Sequence, residues 1–175
     1  LEGSPIPSLL NELALQRLMQ SCEQEARGLS DTIINGSPPQ QIRFHIDPSL
    51  QGATLLGEVR ELQSALSNLV SNAVRYTPAG GTIGVCAEKE SDGTLSIRVH
   101  DTGAGIAAEH LPRLTERFYR VDRSRSRESG GTGLGLAIVK HVMQRHGGTL
   151  LITSELGKGS CFKLNFPTNR WRQSF

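Results

Sequence analysis

Leu66-Ser67-Asn68-Leu69-Val70-Ser71-Asn72-Ala73-Val74-Arg75-Tyr76-Thr77-Pro78 is the stretch on which the reading of this chain turns. Taken with the residues back to Gly57, it sets Val59, Leu62, Leu66, Leu69 and Ala73 at steps of three or four. That period predicts a helix over 57–76 with one buried stripe. Thr77-Pro78-Ala79-Gly80-Gly81 stops it. Asn68 and Asn72 lie one turn apart, so they share a face off the apolar stripe, and Arg75 and Tyr76 extend that row.

Working outward, Leu13 to Leu29 reads as an amphipathic helix, followed by a connector at Gly36-Ser37-Pro38-Pro39. Gln41 to Ile46 alternates apolar and polar and reads as a half-buried strand. Two more strands are predicted at 82–88 and 94–100, joined at Asp92-Gly93. A helix is predicted over 132–146, closed by Gly147-Gly148. A final hairpin, 150–154 with 160–166, turns at Gly157-Lys158-Gly159. Helices and strands in mixed order, without βαβ repetition, predict an α/β two-layer sandwich, a mixed sheet with helices on one face. The expected division is a leader at 1–9, one domain over 10–168 and a tail at 169–175.

Composition excludes several classes. The 175 residues suit one domain, and the net charge of +2 argues against a general affinity for nucleic acid. No uncharged apolar run is long enough to span a bilayer, and the N-terminus has no signal-peptide pattern. Three widely spaced cysteines, Cys22, Cys86 and Cys161, read as reduced structural thiols rather than a disulfide framework. The five histidines are scattered and read as structural or surface residues; His100, on a strand, should point away from Asp101.

Four stretches could carry chemistry. On the first, an amide oxygen of Asn68 or Asn72 could occupy one position in a magnesium shell, Arg75 could meet phosphate, and Tyr76 offers a ring face to a base. The same pair also reads as solvated asparagines at a helix end. The second, Asp101-Thr102-Gly103-Ala104-Gly105-Ile106, follows a strand directly. An ionised Asp only accepts hydrogen bonds, which suits an exocyclic amino group such as that of adenine, and the glycines allow close backbone approach. The third, Gly130-Gly131-Thr132-Gly133-Leu134-Gly135-Leu136, opens a helix, where backbone N–H groups make an anion site. It is neither a Walker loop nor a dinucleotide fingerprint. The fourth, Arg117 to Arg127, holds five arginines in an irregular segment that could clamp phosphates, bind nucleic acid or simply face solvent.

In this order the motifs resemble the boxes of a histidine kinase catalytic domain of the GHKL superfamily. Leu66 to Pro78 resembles the N box, Asp101 to Ile106 the G1 box, Glu116 to Asp122 the F box, and Gly131 to Val139 the G2 box. Gly157-Lys158-Gly159-Ser160 resembles the last glycine element, and Leu111 to Asp122 with Arg125-Ser126-Arg127 looks most like the phosphate-regulon sensor kinases. The resemblance covers about residues 10 to 167 and implies a Bergerat-type sandwich that binds ATP and magnesium.

It implies roles residue by residue. Asn72 coordinates magnesium with Asn68 assisting. Asp101 binds the adenine amino group, with Gly103, Gly105 and Ser160 around it. Tyr76 and Ile106 flank the base. Gly131, Thr132, Gly133, Leu134, Gly135 and Leu136 belong to the phosphate-binding turn. Arg75 and Arg120 supply cations. Arg75 stands where lysine is frequent, and Ser160 where threonine is usual.

No His-Glu/Asp-Leu-Arg-Thr-Pro stretch is present, so the resemblance implies that the phosphoacceptor lies on a dimerisation domain outside this chain. ATPases of the superfamily carry glutamate where Asn68 stands, and an amide cannot take a proton from water. Slow hydrolysis is therefore expected, as is γ-phosphate transfer to a histidine. A response regulator would be an indirect partner, in a cytoplasmic domain of a protein anchored at the inner membrane. An ATP-driven conformational ATPase and an anti-sigma-type serine kinase of the same superfamily stay open beside this reading. So does a nucleic-acid module using the arginine loop.

Overall fold

The structure is a computed structural model and describes residues 11–119 and 135–173. Its larger sheet has five strands. These are β2 (Gln41–Ile46), β4 (Thr82–Lys89), β5 (Leu95–Asp101), β6 (Thr149–Glu155) and β7 (Gly159–Phe166). Their order across the sheet is β2-β4-β5-β7-β6. β2 runs parallel to β4 and all other neighbours are antiparallel, so the sheet is mixed, as expected.

The period-2 alternation of these strands gives the sheet two unlike faces. Ile42, Ile83, Val85, Ala87, Leu95, Ile97, Val99, Phe162, Leu164 and Phe166 are buried on one of them. The other carries polar side chains and ion pairs such as Arg98–Glu88 at 2.7 Å and Lys163–Glu90 at 2.7 Å. Three helices among the described residues cover the apolar face: α1 (Leu15–Ile33), α2 (Val59–Tyr76) and α3 (Gly135–Arg145).

α2 sits between the other two, which explains its broad apolar surface. Leu62, Ala65, Leu66, Leu69, Val70, Ala73 and Val74 are all buried. Glu58 caps its start by accepting from Arg60 N at 3.3 Å. At its end the buried Gln40 donates from Nε2 to Val74 O (2.9 Å) and Thr77 O (2.7 Å), satisfying carbonyls that the helix leaves open. The tie to α3 is polar: Arg145 grips Glu61 through Nε at 2.7 Å and Nη2 at 3.1 Å.

His146 adds a second tie. It is fully buried, and its Nε2 accepts from Glu58 N at 3.1 Å while Nδ1 donates to Val142 O at 2.8 Å. An amide N–H can only donate, so the proton must sit on Nδ1. Burial holds the imidazole below its ordinary pKa.

One feature escaped the sequence patterns. A second, three-stranded sheet has the order β1-β3-β8, with β1 (Glu12–Ala14), β3 (Thr54–Leu56) and β8 (Trp171–Arg172) all antiparallel. The stretch 169–175, expected as a tail, thus contributes a strand. Its Trp171 donates from Nε1 to Gly93 O at 3.2 Å, Arg170 is buried, and Arg172 pairs with Glu12. Strands of two or three residues are too short for an alternation to register. The leader expected at 1–9 lies outside the described residues. The three cysteines are free thiols, with Cys22 buried and pushed up to about 12 by desolvation.

Candidate nucleotide site

The site assembles around the polar face of α2, because the helix buries one side and leaves Asn68, Asn72 and Arg75 half-buried on another. Asn68 donates from Nδ2 to Ser64 O at 2.7 Å and to Ser64 Oγ at 3.2 Å. Its amide orientation is thereby set, and Oδ1 faces the first residue of α3: a Cβ on Gly135 would stand 2.9 Å from it. A side chain at this position would displace the Asn68 amide. Asn72 makes no hydrogen bond among the described residues, and the buried Nε of Arg75 has no partner there either.

Asp101 ends β5, with its backbone in register with Ser160 of β7 and Ile83 of β4. Its carboxylate accepts from Gly103 N at 2.9 Å. Burial raises its pKa, and the opposing hydrogen bonds from the Gly103 and Ser160 backbone do not cancel that effect. An acceptor so poorly solvated gains from any donor brought to it.

The turn after Asp101 is pressed between neighbours. A Cβ on Gly103 would lie 2.6 Å from Tyr76 O, which docks the turn against the end of α2. Gly105 has φ +75° and abuts the Glu155 carbonyl, so a side chain would meet both strain and a clash. Ile106, half-buried against the core, donates its N–H to Ser154 Oγ at 2.7 Å. Ser154 also contacts Gly159 O (2.9 Å) and Ser160 Oγ (2.8 Å). All three bonds hold at once if Ser154 donates to Gly159 O and Ser160 donates to Ser154. Ser160, almost fully buried, then keeps lone pairs to accept.

The structure therefore brings Asn68, Asn72, Arg75, Tyr76, Asp101, Gly103, Gly105, Ile106, Gly135 and Ser160 to one region, with Leu136 packed below on the core. Arg120, Gly131, Thr132, Gly133 and Leu134 lie outside the described residues. His100 lies on the opposite sheet face, over Gly84. The sequence reading missed Ser154 and Thr102, whose Oγ1 accepts from Thr82 N at 2.9 Å. The hairpin register, which sets Ser154 opposite Ser160, is the signal that points to Ser154. On the approach to the arginine-rich stretch, Tyr119 OH bonds His110 Nδ1, and the Arg113 guanidinium lies 4.5 Å from the centre of its ring.

Sheet, helix face and strand-end carboxylate together define an α/β-sandwich nucleotide-binding domain. A family profile described as histidine kinase-, DNA gyrase B-, and HSP90-like ATPase matches residues 57–170. The chain belongs to that family, as the catalytic ATPase domain of a sensor histidine kinase.

The phosphate regulon sensor protein PhoR of Pseudomonas aeruginosa is 45% identical over 166 residues, which is 95% of this chain and 35% of that protein. The sensor-like histidine kinase SenX3 of Mycolicibacterium smegmatis is 47% identical over 116 residues, 66% of this chain and 30% of that protein. The chain thus spans about a third of the length of these relatives. Among solved structures, the mycobacterial sensor histidine kinase MprB shares the fold, with a TM-score of 0.75 and 23% identity over 94% of this chain and 99% of that one. Full-length ShkA in complex with AMPPNP gives a TM-score of 0.78 and 26% identity over 98% of this chain and 33% of that one.

Proposed function

We propose that this chain binds Mg-ATP and donates its γ-phosphate to a histidine on the dimerisation domain of the same kinase, in a phosphate-responsive two-component system. The observation that carries the reading is Asp101: a poorly solvated carboxylate at a strand end, beside two glycines with no room for a side chain. Such a group fits the exocyclic amine of adenine, and the tight turn lets the flat base lie near backbone. Tyr76 and Ile106 would flank the ring, and Ser160 would accept alongside Asp101. The amides of Gly131 to Leu134 would meet phosphate oxygens, with Arg75 and Arg120 as cations.

The donor set also fits magnesium: Asn72 holds a neutral amide oxygen with no partner among the described residues, and Asn68 presents Oδ1 nearby. When bound, the ion would neutralise charge on the phosphates. The chain's own residues position the nucleotide and withhold a base. Asn68 cannot accept a proton from water, so the γ-phosphate is preserved for transfer. The domain spans residues 10–168 in this reading, a response regulator is the indirect partner, and the whole protein is anchored at the inner membrane with this domain in the cytoplasm. No helix among the described residues is long and apolar enough to cross a membrane. The likeness to PhoR supports the phosphate assignment.

Calorimetric titration with a non-hydrolysable ATP analogue tests the reading. Binding in the micromolar range, near −8 kcal/mol, that depends on magnesium and falls in Asp101→Asn is expected. A folded chain that binds no nucleotide at millimolar ligand overturns it.

A further inference from the structure

β6 is the outer strand of the larger sheet beyond β7. Its sequence, Thr149-Leu150-Leu151-Ile152-Thr153-Ser154-Glu155, contains no proline and no lysine, the residues that usually guard a sheet edge. At its far end the edge is shielded, because Gly157 N donates to Ala104 O at 2.8 Å and Ile106 N to Ser154 Oγ at 2.7 Å. Over Thr149–Thr153 no backbone hydrogen bond reaches it from the described residues outside the β6–β7 hairpin. Leu151 is 56% exposed on the outer face of this same run.

A second observation falls on the same edge. A cleft of about 330 Å³ opens between β6, α3 and the turn at Leu111–Arg113. Leu111, Met143, Leu150 and Ile152 form its apolar lining, and Lys140 and Thr149 are polar members. Lys140 is exposed and has no ion-pair partner among the described residues. A free edge beside a helix-walled groove is the geometry in which an extended peptide adds a strand: main-chain bonds give affinity, and alternate side chains enter the groove.

We propose that β6 and the α3 groove form a strand-addition site for an extended acidic peptide of a partner protein. Apolar residues at alternate positions would enter the cleft and a carboxylate would meet Lys140. Pairing between two copies of this chain at β6 would leave the cleft unfilled, because the one acid of the strand, Glu155, shares the exposed face with Leu151 and not the face of the cleft-lining Leu150 and Ile152, so the cleft and Lys140 favour the peptide. The site uses none of the residues assigned to nucleotide.

The test is an NMR titration of the ¹⁵N-labelled chain with a synthetic acetylated peptide alternating valine and threonine and ending in glutamate. The expected result is a shift of the Thr149–Thr153 amides together with those of Lys140 and Met143. Slower amide exchange along the outer edge of β6 should accompany it. The same peptide N-methylated at alternate residues should fail to bind, and Lys140→Glu should weaken binding roughly tenfold. No shifts at millimolar peptide would overturn the proposal. So would equal binding of the N-methylated peptide, which would indicate simple groove filling, or peptide-free dimerisation through β6. AMPPNP binding, measured on the same sample, is expected to be unaffected by Lys140→Glu.

Discussion

Asp101, proposed above to meet the adenine amine, works against its own fold. Its carboxylate is held above the ordinary Asp pKa by burial. The unfolded chain therefore releases this proton at lower pH than the folded one, and the ionised group subtracts stability as pH rises through that range. Asp101→Asn keeps an oxygen for Gly103 N and removes the buried charge. It should leave Tm unchanged or raise it by a few degrees in a thermal melt, while nucleotide affinity falls about 10- to 100-fold. A parallel loss of Tm and affinity would mean that the carboxylate serves the fold instead. His146 runs the other way. Its folded pKa is lowered, so below the ordinary imidazole range the unfolded state binds more protons and stability drops with acidification. Urea midpoints should fall between about pH 7 and 5. His146→Leu, which removes both the acceptor for Glu58 N and the donor to Val142 O, should cost about 1–3 kcal/mol and abolish that dependence.

α2 is the element that joins the packed core to the candidate site. Its apolar stripe was legible from periodicity alone, and so was the fact that Asn68 and Asn72 share a face. What the period could not supply is what meets that face, namely the opening of α3 at Gly135 and the turn at Gly103. Those two approaches impose separate demands, one at mid-helix beside Asn68 and one at the C-terminal end beside Tyr76. The turn from Asp101 to Ile106 is the tighter constraint. Gly105→Ala combines a left-handed φ with a clash against the Glu155 carbonyl and should cost about 2–4 kcal/mol in chemical denaturation. Gly157→Ala, whose φ of +80° opens on empty space, carries the strain alone and should cost about half as much.

At the scale of the whole molecule, the small sheet ties chain segments remote in sequence. β1 near the start, β3 ahead of α2 and β8 near the end meet edge to edge. Trp171→Ala should therefore cost about 2 kcal/mol through lost burial and the lost bond to Gly93 O. Faster amide exchange at Leu55, the β3 partner of Trp171, should accompany it. If Leu55 exchange is unchanged, β8 does not support β3.

Local pattern was enough for the five long strands, the three helices and the one-sided covering of the sheet, because each has a period of 2 or 3.6 that repeats often enough to register. The motif residues of the site were legible for a different reason. Backbone that approaches closely demands glycine, and a strand-end carboxylate among glycines is rare enough to notice. Tertiary structure alone decided the rest. The three-stranded sheet has strands too short for periodicity, and its pairing joins residues such as Thr54 and Arg172 across most of the chain. The imidazole of His146 became a buried acceptor only because α2 begins beside it. Ser154 joined the site through hairpin register, and the desolvation of Asp101 came with burial at the end of a strand flanked by β4 and β7, which no window of sequence contains.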